Sequence, residues 1–234
     1  KLNAYLDDYA FLIAGLLTLY ESTGELRWFE HALQLQKLQD QHYADDTGGY
    51  FTTSDDHEAL LVREKPDYDG AEPSGNAISA MNLLRFHAFT ADERFRERAD
   101  KIFAFFAKSL KRGSTGQPAM LSALDMRLDT PIQVVLVTPN KGEFGPLDEV
   151  LSRQYLPNRA MSRISASQVV EQQGKIPLLI GKLPQENGAT AYVCEEGQCE
   201  RPTSNPEVLK AQLARWKPLL NDRSPAPLPS NGGP

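Results

Sequence analysis

The stretch Asp67-Tyr-Asp-Gly-Ala-Glu-Pro-Ser-Gly-Asn-Ala-Ile-Ser-Ala-Met-Asn-Leu-Leu84 changes character halfway. Its first half carries three acids, a proline and the Asp69-Gly70 pair, which together read as a turn. Its second half is apolar almost all round, through Ala77, Ile78, Ala80, Met81, Leu83 and Leu84, as in a buried helix. Ser74 suits the cap of that helix. Carboxylates gathered at the front of a buried helix are either a plain cap or the mouth of a site.

Working outward, the apolar spacing predicts helices over residues 4–22, 25–43, 75–89 and 91–110. The first and third are apolar nearly all round, as expected of helices covered on every side. The second and fourth are amphipathic. Gly24 is placed to end the first helix, and Thr90-Ala-Asp-Glu93 reads as a capping box for the fourth. Shifting the chain by 67 residues superposes these pairs: Leu16-Leu17 on Leu83-Leu84, Thr23 on Thr90, Arg27 on Arg94, Trp28 on Phe95 and Ala32 on Ala99. Two copies of an inner/outer helical hairpin stack either into a solenoid or into a ring. Two copies are too few to close a ring. The expectation is therefore a mainly α protein, an incomplete α/α toroid whose front is truncated, since the chain starts at Lys1.

The same shift lays Asp7-Asp8-Tyr9 on Ser74-Gly75-Asn76. Both inner helices thus start with polar residues, which in a ring would face one cavity from helix N-termini. Between the hairpins, residues 48–54 and 59–65 read as two short strands around Asp55-Asp56-His57, a flap spanning about 48–66 over that rim. Beyond residue 112 the pattern changes. A last helix at 118–128 is followed by a buried strand at 132–138, a helix at 145–155, a weaker strand at 159–165, a hairpin at Cys194 and Cys199, and a helix at 206–216. The division expected is helical hairpins over 1–130, a small αβ appendage over 131–217, and a disordered Pro/Gly/Ser-rich tail over 218–234.

A net charge of −6 without a Lys/Arg cluster argues against nucleic acid or an anionic membrane as partner. The longest apolar run, Ala10 to Leu17, is too short to cross a bilayer. Two cysteines are not a disulfide framework, so a reducing, cytoplasmic setting is the default expectation.

Three stretches carry a resemblance: Asp7-Asp-Tyr-Ala-Phe-Leu-Ile13, Lys65-x-x-x-Asp69-Gly-Ala-x-Pro73-Ser-Gly-Asn76, and Ala191-Tyr-Val-Cys194 with Cys199. They resemble the thioredoxin-domain-containing proteins of the YyaL and spermatogenesis-associated type, up to about residue 217. The resemblance implies a six-hairpin-glycosidase-like toroid preceded, in the family, by a thioredoxin-like domain, and makes that domain the expected partner. It carries no settled activity.

Several residues are candidates, each with an ordinary alternative. Asp7, Asp8, Asp69 and Glu72 are read as acid–base groups for a sugar, or as helix-start charge. Lys65, Ser74, Asn76 and His57 are read as groups that position a polyhydroxy ligand, or as cap, core and turn residues. Cys194 and Cys199 are read as an exchanging thiol pair, as a plain disulfide or as idle thiols; a metal site lacks further ligands. The leading expectation is carbohydrate binding or conversion without a cofactor, epimerase- or glycosidase-like. The rival is a non-catalytic scaffold of a redox protein using the cysteine pair.

Overall fold

The computed structural model describes residues 4–58, 61–140, 142, 144–185, 188–195 and 197–216. Helices α1 (Leu6–Thr23), α2 (Leu26–His42), α3 (Gly75–Thr90) and α4 (Glu93–Gly113) form the two hairpins, and α5 (Pro118–Leu128) follows a 3-10 turn at Ser114–Gly116. α1 packs on α3 and α3 on α5, with α2 behind α1 and α4 behind α3. These five helices thus form a row of three, α1, α3 and α5, with α2 and α4 behind it. The tail expected over 218–234 lies outside the described residues.

The repeat holds at atomic detail where each hairpin turns. Thr23 Oγ1 donates to Leu19 O and accepts from Glu25 N; Thr90 Oγ1 donates to Phe86 O and accepts from Asp92 N. Gly24 and Ala91 both take the left-handed conformation, with φ of 65° and 53°. Glu25 pairs with Arg27 as Asp92 pairs with Arg94. The expected capping box at Thr90 is corrected by one detail. Asp92 is the cap of α4, its Oδ1 accepting from Arg94 N, while Thr90 still closes α3. At Gly24 a Cβ would lie 2.2 Å from Arg163 O, so the position needs glycine for space as well as for φ.

Strands β1 (Ile132–Thr138), β2 (Arg159–Ser165), β3 (Thr190–Glu195) and β4 (Gln198–Cys199) form a sheet of order β2-β1-β3-β4. β1 and β2 are parallel, joined through α6 (Pro146–Ser152); β3 runs antiparallel to β1, and β4 to β3. α7 (Ala166–Gln172) and α8 (Pro206–Arg215) complete the unit.

The sheet packs directly on the hairpins. Val135 and Val137 of β1 and Ala160 and Ile164 of β2 share one core with Ile13, Leu17, Tyr20, Phe29, Phe86 and Phe89 of the hairpins. Tyr20, Phe29 and Phe89 meet with ring centroids 5.3–5.6 Å apart, each pair worth about 0.5–1.5 kcal/mol beyond its buried area. Polar ties cross the same seam: Gln172 Nε2 donates to Gly24 O at 2.8 Å and Gln133 Nε2 to Ala88 O at 2.7 Å. α1 departs from expectation on one side. Phe11, Leu12 and Leu19 are exposed, because the described residues cover only the opposite flank of this helix. α3, flanked by α1 and α5, is buried throughout most of its length.

The expected β-hairpin flap is also corrected. Among the described residues of 48–66 there is no strand, and the two arms share the Thr52 N to Glu64 O bond at 2.8 Å and a side-chain bond at the same carbonyl. The first arm places its other backbone groups elsewhere: Thr52 O accepts from Leu6 N, Phe51 N donates to Tyr43 O, and Tyr50 bonds to the Asn76 side chain. A backbone satisfied by helix ends has no groups left for a ladder.

Candidate functional site

The polar residues at the start of α3 hold the fold together. The Asn76 side chain is fully buried. Its Oδ1 accepts from Tyr50 N at 2.8 Å, and its Nδ2 donates to Tyr50 O and Pro66 O, both at 3.0 Å. One amide therefore locks both arms of the 48–66 segment onto α3. Asp69 ties two helix starts together: Oδ1 accepts from the N–H of Ser74, the cap residue of α3, and Oδ2 from Ala119 N in the first turn of α5, each at 2.7 Å. Ser74 Oγ accepts from Ala77 N in the ordinary cap geometry. Lys65 is nearly buried, with Nζ bonded to Asp45, to Gly48 O at 2.8 Å and to Thr47 Oγ1 at 3.1 Å, and 3.5 Å from the Phe105 ring centroid. The Lys65 hydrogen bond, helped by Thr47, holds the Asp45 carboxyl down at about 2.

The front of α1 does meet the front of α3. A Cβ on Gly75 would lie 2.2 Å from Asp7 Oδ1, so only glycine lets the two helix starts touch. Asp7 Oδ1 is buried without a hydrogen-bond partner. Burial pushes this carboxyl above its usual range; the Gly75 backbone opposes the rise, while Asp8 and Glu72 add to it. Asp8 Oδ2 accepts from Tyr5 N at 2.8 Å and so caps its own helix. Glu72 is exposed. His57 Nε2 lies 3.2 Å from Ala4 O, with its ring 5.5 Å from that of Tyr5. Of the residues expected around one cavity, Asp7 lies at the α1/α3 contact, Asp69 between α3 and α5, Lys65 against Asp45 and Phe105, and His57 against Ala4 and Tyr5. A further group, His42, Asp55 and Asp56, has cation-ligand chemistry within 4.8 Å, but His42 bonds to Asp55 and Asp56 to Ser54.

A cleft lies between residues 65–68 and the C-terminal end of α4, with a volume of about 540 Å³. Of the expected site residues only Lys65 lines it, beside Asp67, Tyr68, Phe105, Lys108, Ser109, Arg112 and Gln117. Tyr68 is 70% and Phe105 40% exposed. The buried Gln117 Nε2 donates to Asp67 Oδ2 at 2.8 Å and to Ser109 Oγ at 3.2 Å, leaving its Oε1 unpartnered. Lys108 and Arg112 make no ion pair among the described residues. Sequence reasoning passed over this cleft, although Tyr68 between two acids was its visible signal. Cys194 and Cys199, the expected thiol pair, are joined in a disulfide.

No family model matches the chain. Among curated proteins, it is 35% identical over 212 residues to human Spermatogenesis-associated protein 20. That match covers 89% of this chain and 27% of the human protein. Spermatogenesis-associated protein 20 is a homologue of this chain. Its mouse form is 34% identical over the same share of each chain. A nematode relative, Uncharacterized protein B0495.5 of Caenorhabditis elegans, is 31% identical over 86% of this chain and 27% of its own length. The chain thus spans about a quarter of Spermatogenesis-associated protein 20. Among the described residues no helix is long and apolar enough to cross a membrane.

Proposed function

We propose that this chain binds a carbohydrate-like ligand carrying a negative charge, in the cleft between residues 65–68 and the end of α4. The observation that carries this reading is the pairing of exposed aromatic rings, Tyr68 and Phe105, with Lys108 and Arg112, cations without an ion pair among the described residues. The C–H face of a sugar ring stacks on an aromatic face, and a guanidinium grips a phosphate or carboxylate with two parallel bonds. Asp67, Ser109 and Gln117 supply acceptors and donors for hydroxyls. The inner row of α1, α3 and α5 is read here as an arc of an α/α toroid, with this cleft at one end of its outer wall. Acid–base conversion of the ligand is not part of the reading. Asp69 and Asp8 are occupied as helix caps, and none of Asp7, Asp8, Asp69 and Glu72 lines the cleft.

The test is calorimetric titration with a neutral hexose, a hexose phosphate, a uronic acid and inorganic phosphate. The charged sugars bind best, and Tyr68→Ala and Arg112→Ala each weaken binding by about tenfold. Both side chains are exposed, so neither change threatens the fold. A folded chain that binds none of the sugars, or binds phosphate as tightly as hexose phosphate, ends the reading.

A further inference from the structure

The hairpin of β3 and β4 holds a disulfide whose two sulfurs live in different surroundings. Cys194 and Cys199 are directly opposed across the strands, with Cα atoms 3.9 Å apart. Cys194 is 2% exposed and belongs to the core shared with Tyr20 and Phe29. Cys199 is exposed. Lys182 Nζ lies 3.1 Å from Cys199 Sγ and 5.3 Å from the centroid of the Tyr192 ring. The pair also forms part of the wall of a cleft of about 370 Å³, with Gln198, Gln212, Arg215 and Trp216. A staple whose only task is to hold a hairpin needs neither an ammonium on one sulfur nor an opening beside it.

We infer that Cys194–Cys199 is an exchanging disulfide that accepts two electrons from an external dithiol, with Cys199 as the attacked sulfur and Lys182 as its electrostatic partner. A thiolate of the dithiol attacks Cys199 Sγ, the accessible one. The Cys194–Cys199 bond breaks, Cys194 leaves as a thiolate and takes up a proton, and Cys199 is left in a mixed disulfide. The second thiol of the partner then attacks the partner's own sulfur in that bond. Cys199 leaves as a thiolate facing the Lys182 ammonium, and the partner departs as a disulfide. Run backwards, the Cys199 thiolate attacks an oxidised partner and Cys194 resolves the mixed disulfide. Partial burial of Lys182 lowers its own pKa, and a thiolate released at Cys199, whose sulfur lies 3.1 Å from Nζ in the disulfide, is the counter-charge that relieves it. The other ionisable groups around the pair are Tyr192, Glu195 and Glu200, the last of which is engaged by Arg215. The inference is independent of the ligand cleft, which is lined by other residues.

The experiment uses the whole chain and four variants: Cys194→Ser, Cys199→Ser, and each of these combined with Lys182→Gln. In the unsubstituted chain, dithiothreitol opens the disulfide under native conditions, with an unchanged circular dichroism spectrum, and two N-ethylmaleimide adducts are seen by mass spectrometry after removal of the reductant and a denaturing alkylation. Glutathione disulfide then forms a stable adduct on Cys194→Ser, through Cys199, and none on folded Cys199→Ser. Alkylation of the free Cys199 at neutral pH slows about tenfold when Lys182 becomes Gln, while Cys194 in the reciprocal pair does not change. Reduction that occurs only as the chain unfolds overturns the inference, as does trapping at Cys194 or a Cys199 reactivity indifferent to Lys182. A variant that fails to fold leaves the reduction test on the unsubstituted chain to decide.

Discussion

The two helical hairpins are copies that agree at one end and part company at the other. Where each inner helix hands over to its outer helix, the threonine, the left-handed residue and the acid–arginine pair recur at a spacing of 67 residues. Where each inner helix begins, the copies differ. α1 is closed by its own Asp8, bonded back to Tyr5 N. α3 is tied by Asp69 to α5 and by Asn76 to the preceding arm. The corner is a local structure made within a few residues, so one recipe serves both. The start depends on what lies beside it: α3 has a neighbour on each flank, while the described residues leave one flank of α1 bare.

The contrast breaks most visibly at Asn76. Asn76→Ala removes three bonds, two of them buried and one partly buried, and strands the Tyr50 amide, the Tyr50 carbonyl and the Pro66 carbonyl. Part of that loss is recovered as the arm loosens and water enters. The expected cost is about 3–5 kcal/mol in urea unfolding. The equivalent residue in the first copy is Tyr9, half-buried, whose ring lies 5.2 Å from that of Tyr43. Tyr9→Ala should cost about 1–2 kcal/mol. Equal losses would mean that the two starts are equivalent after all, and that the 48–66 arm is not held through Asn76.

A second pair of substitutions sharpens the point with smaller effects. Asp69→Ala uncaps α5 and frees the backbone N–H of Ser74, the cap residue of α3, for about 2–3 kcal/mol, while Asp8→Ala loosens only the start of α1, for about 1 kcal/mol. Native-state hydrogen exchange separates them. The Ala119 and Ser74 amides lose protection in Asp69→Ala and keep it in Asp8→Ala. If Ala119 stays protected without the Asp69 carboxylate, the link between α3 and α5 is made by packing alone.

These contrasts also show what could be read from the chain itself. The helices, the Gly24 corner and the strand–helix–strand unit were legible because apolar spacing and turn chemistry are local. Asn76 at the start of an apolar helix signals a buried amide that needs partners, but those partners sit 26 and 10 residues away in an arm with no periodic pattern. Side-chain spacing at 48–65 does favour strands. It cannot reveal that Leu6 and Tyr43 would claim the backbone groups a ladder needs. The cleft draws Tyr68 from the arm and Arg112 from the end of α4, a meeting fixed only by how α3 and α4 pack. The αβ unit looked separate because its strands are apolar in themselves, and nothing local says that β1 packs against Phe29 and Phe89.

The smallest effect tests the part of the comparison in which the copies agree. Ala91 holds φ at 53° in the place that Gly24 occupies in the first hairpin, and its N–H closes α3 on His87 O at 2.7 Å. An L-residue in this conformation carries about 1–2 kcal/mol of steric cost, which glycine does not. Glycine in turn makes the unfolded chain freer by about 0.4–1 kcal/mol. Ala91→Gly should therefore stabilise the protein by about 0.5–1 kcal/mol, a rise of about 2 °C in the midpoint of thermal unfolding. Ala91 is exposed, so no packing is lost in the exchange. The first copy does not permit the reverse change, since Arg163 O closes the space beside Gly24. A gain at 91 therefore marks a corner of the same shape freed from the sheet that crowds its twin. No gain would mean that the second corner relaxes out of the left-handed region, and that the agreement between the copies stops at their side chains.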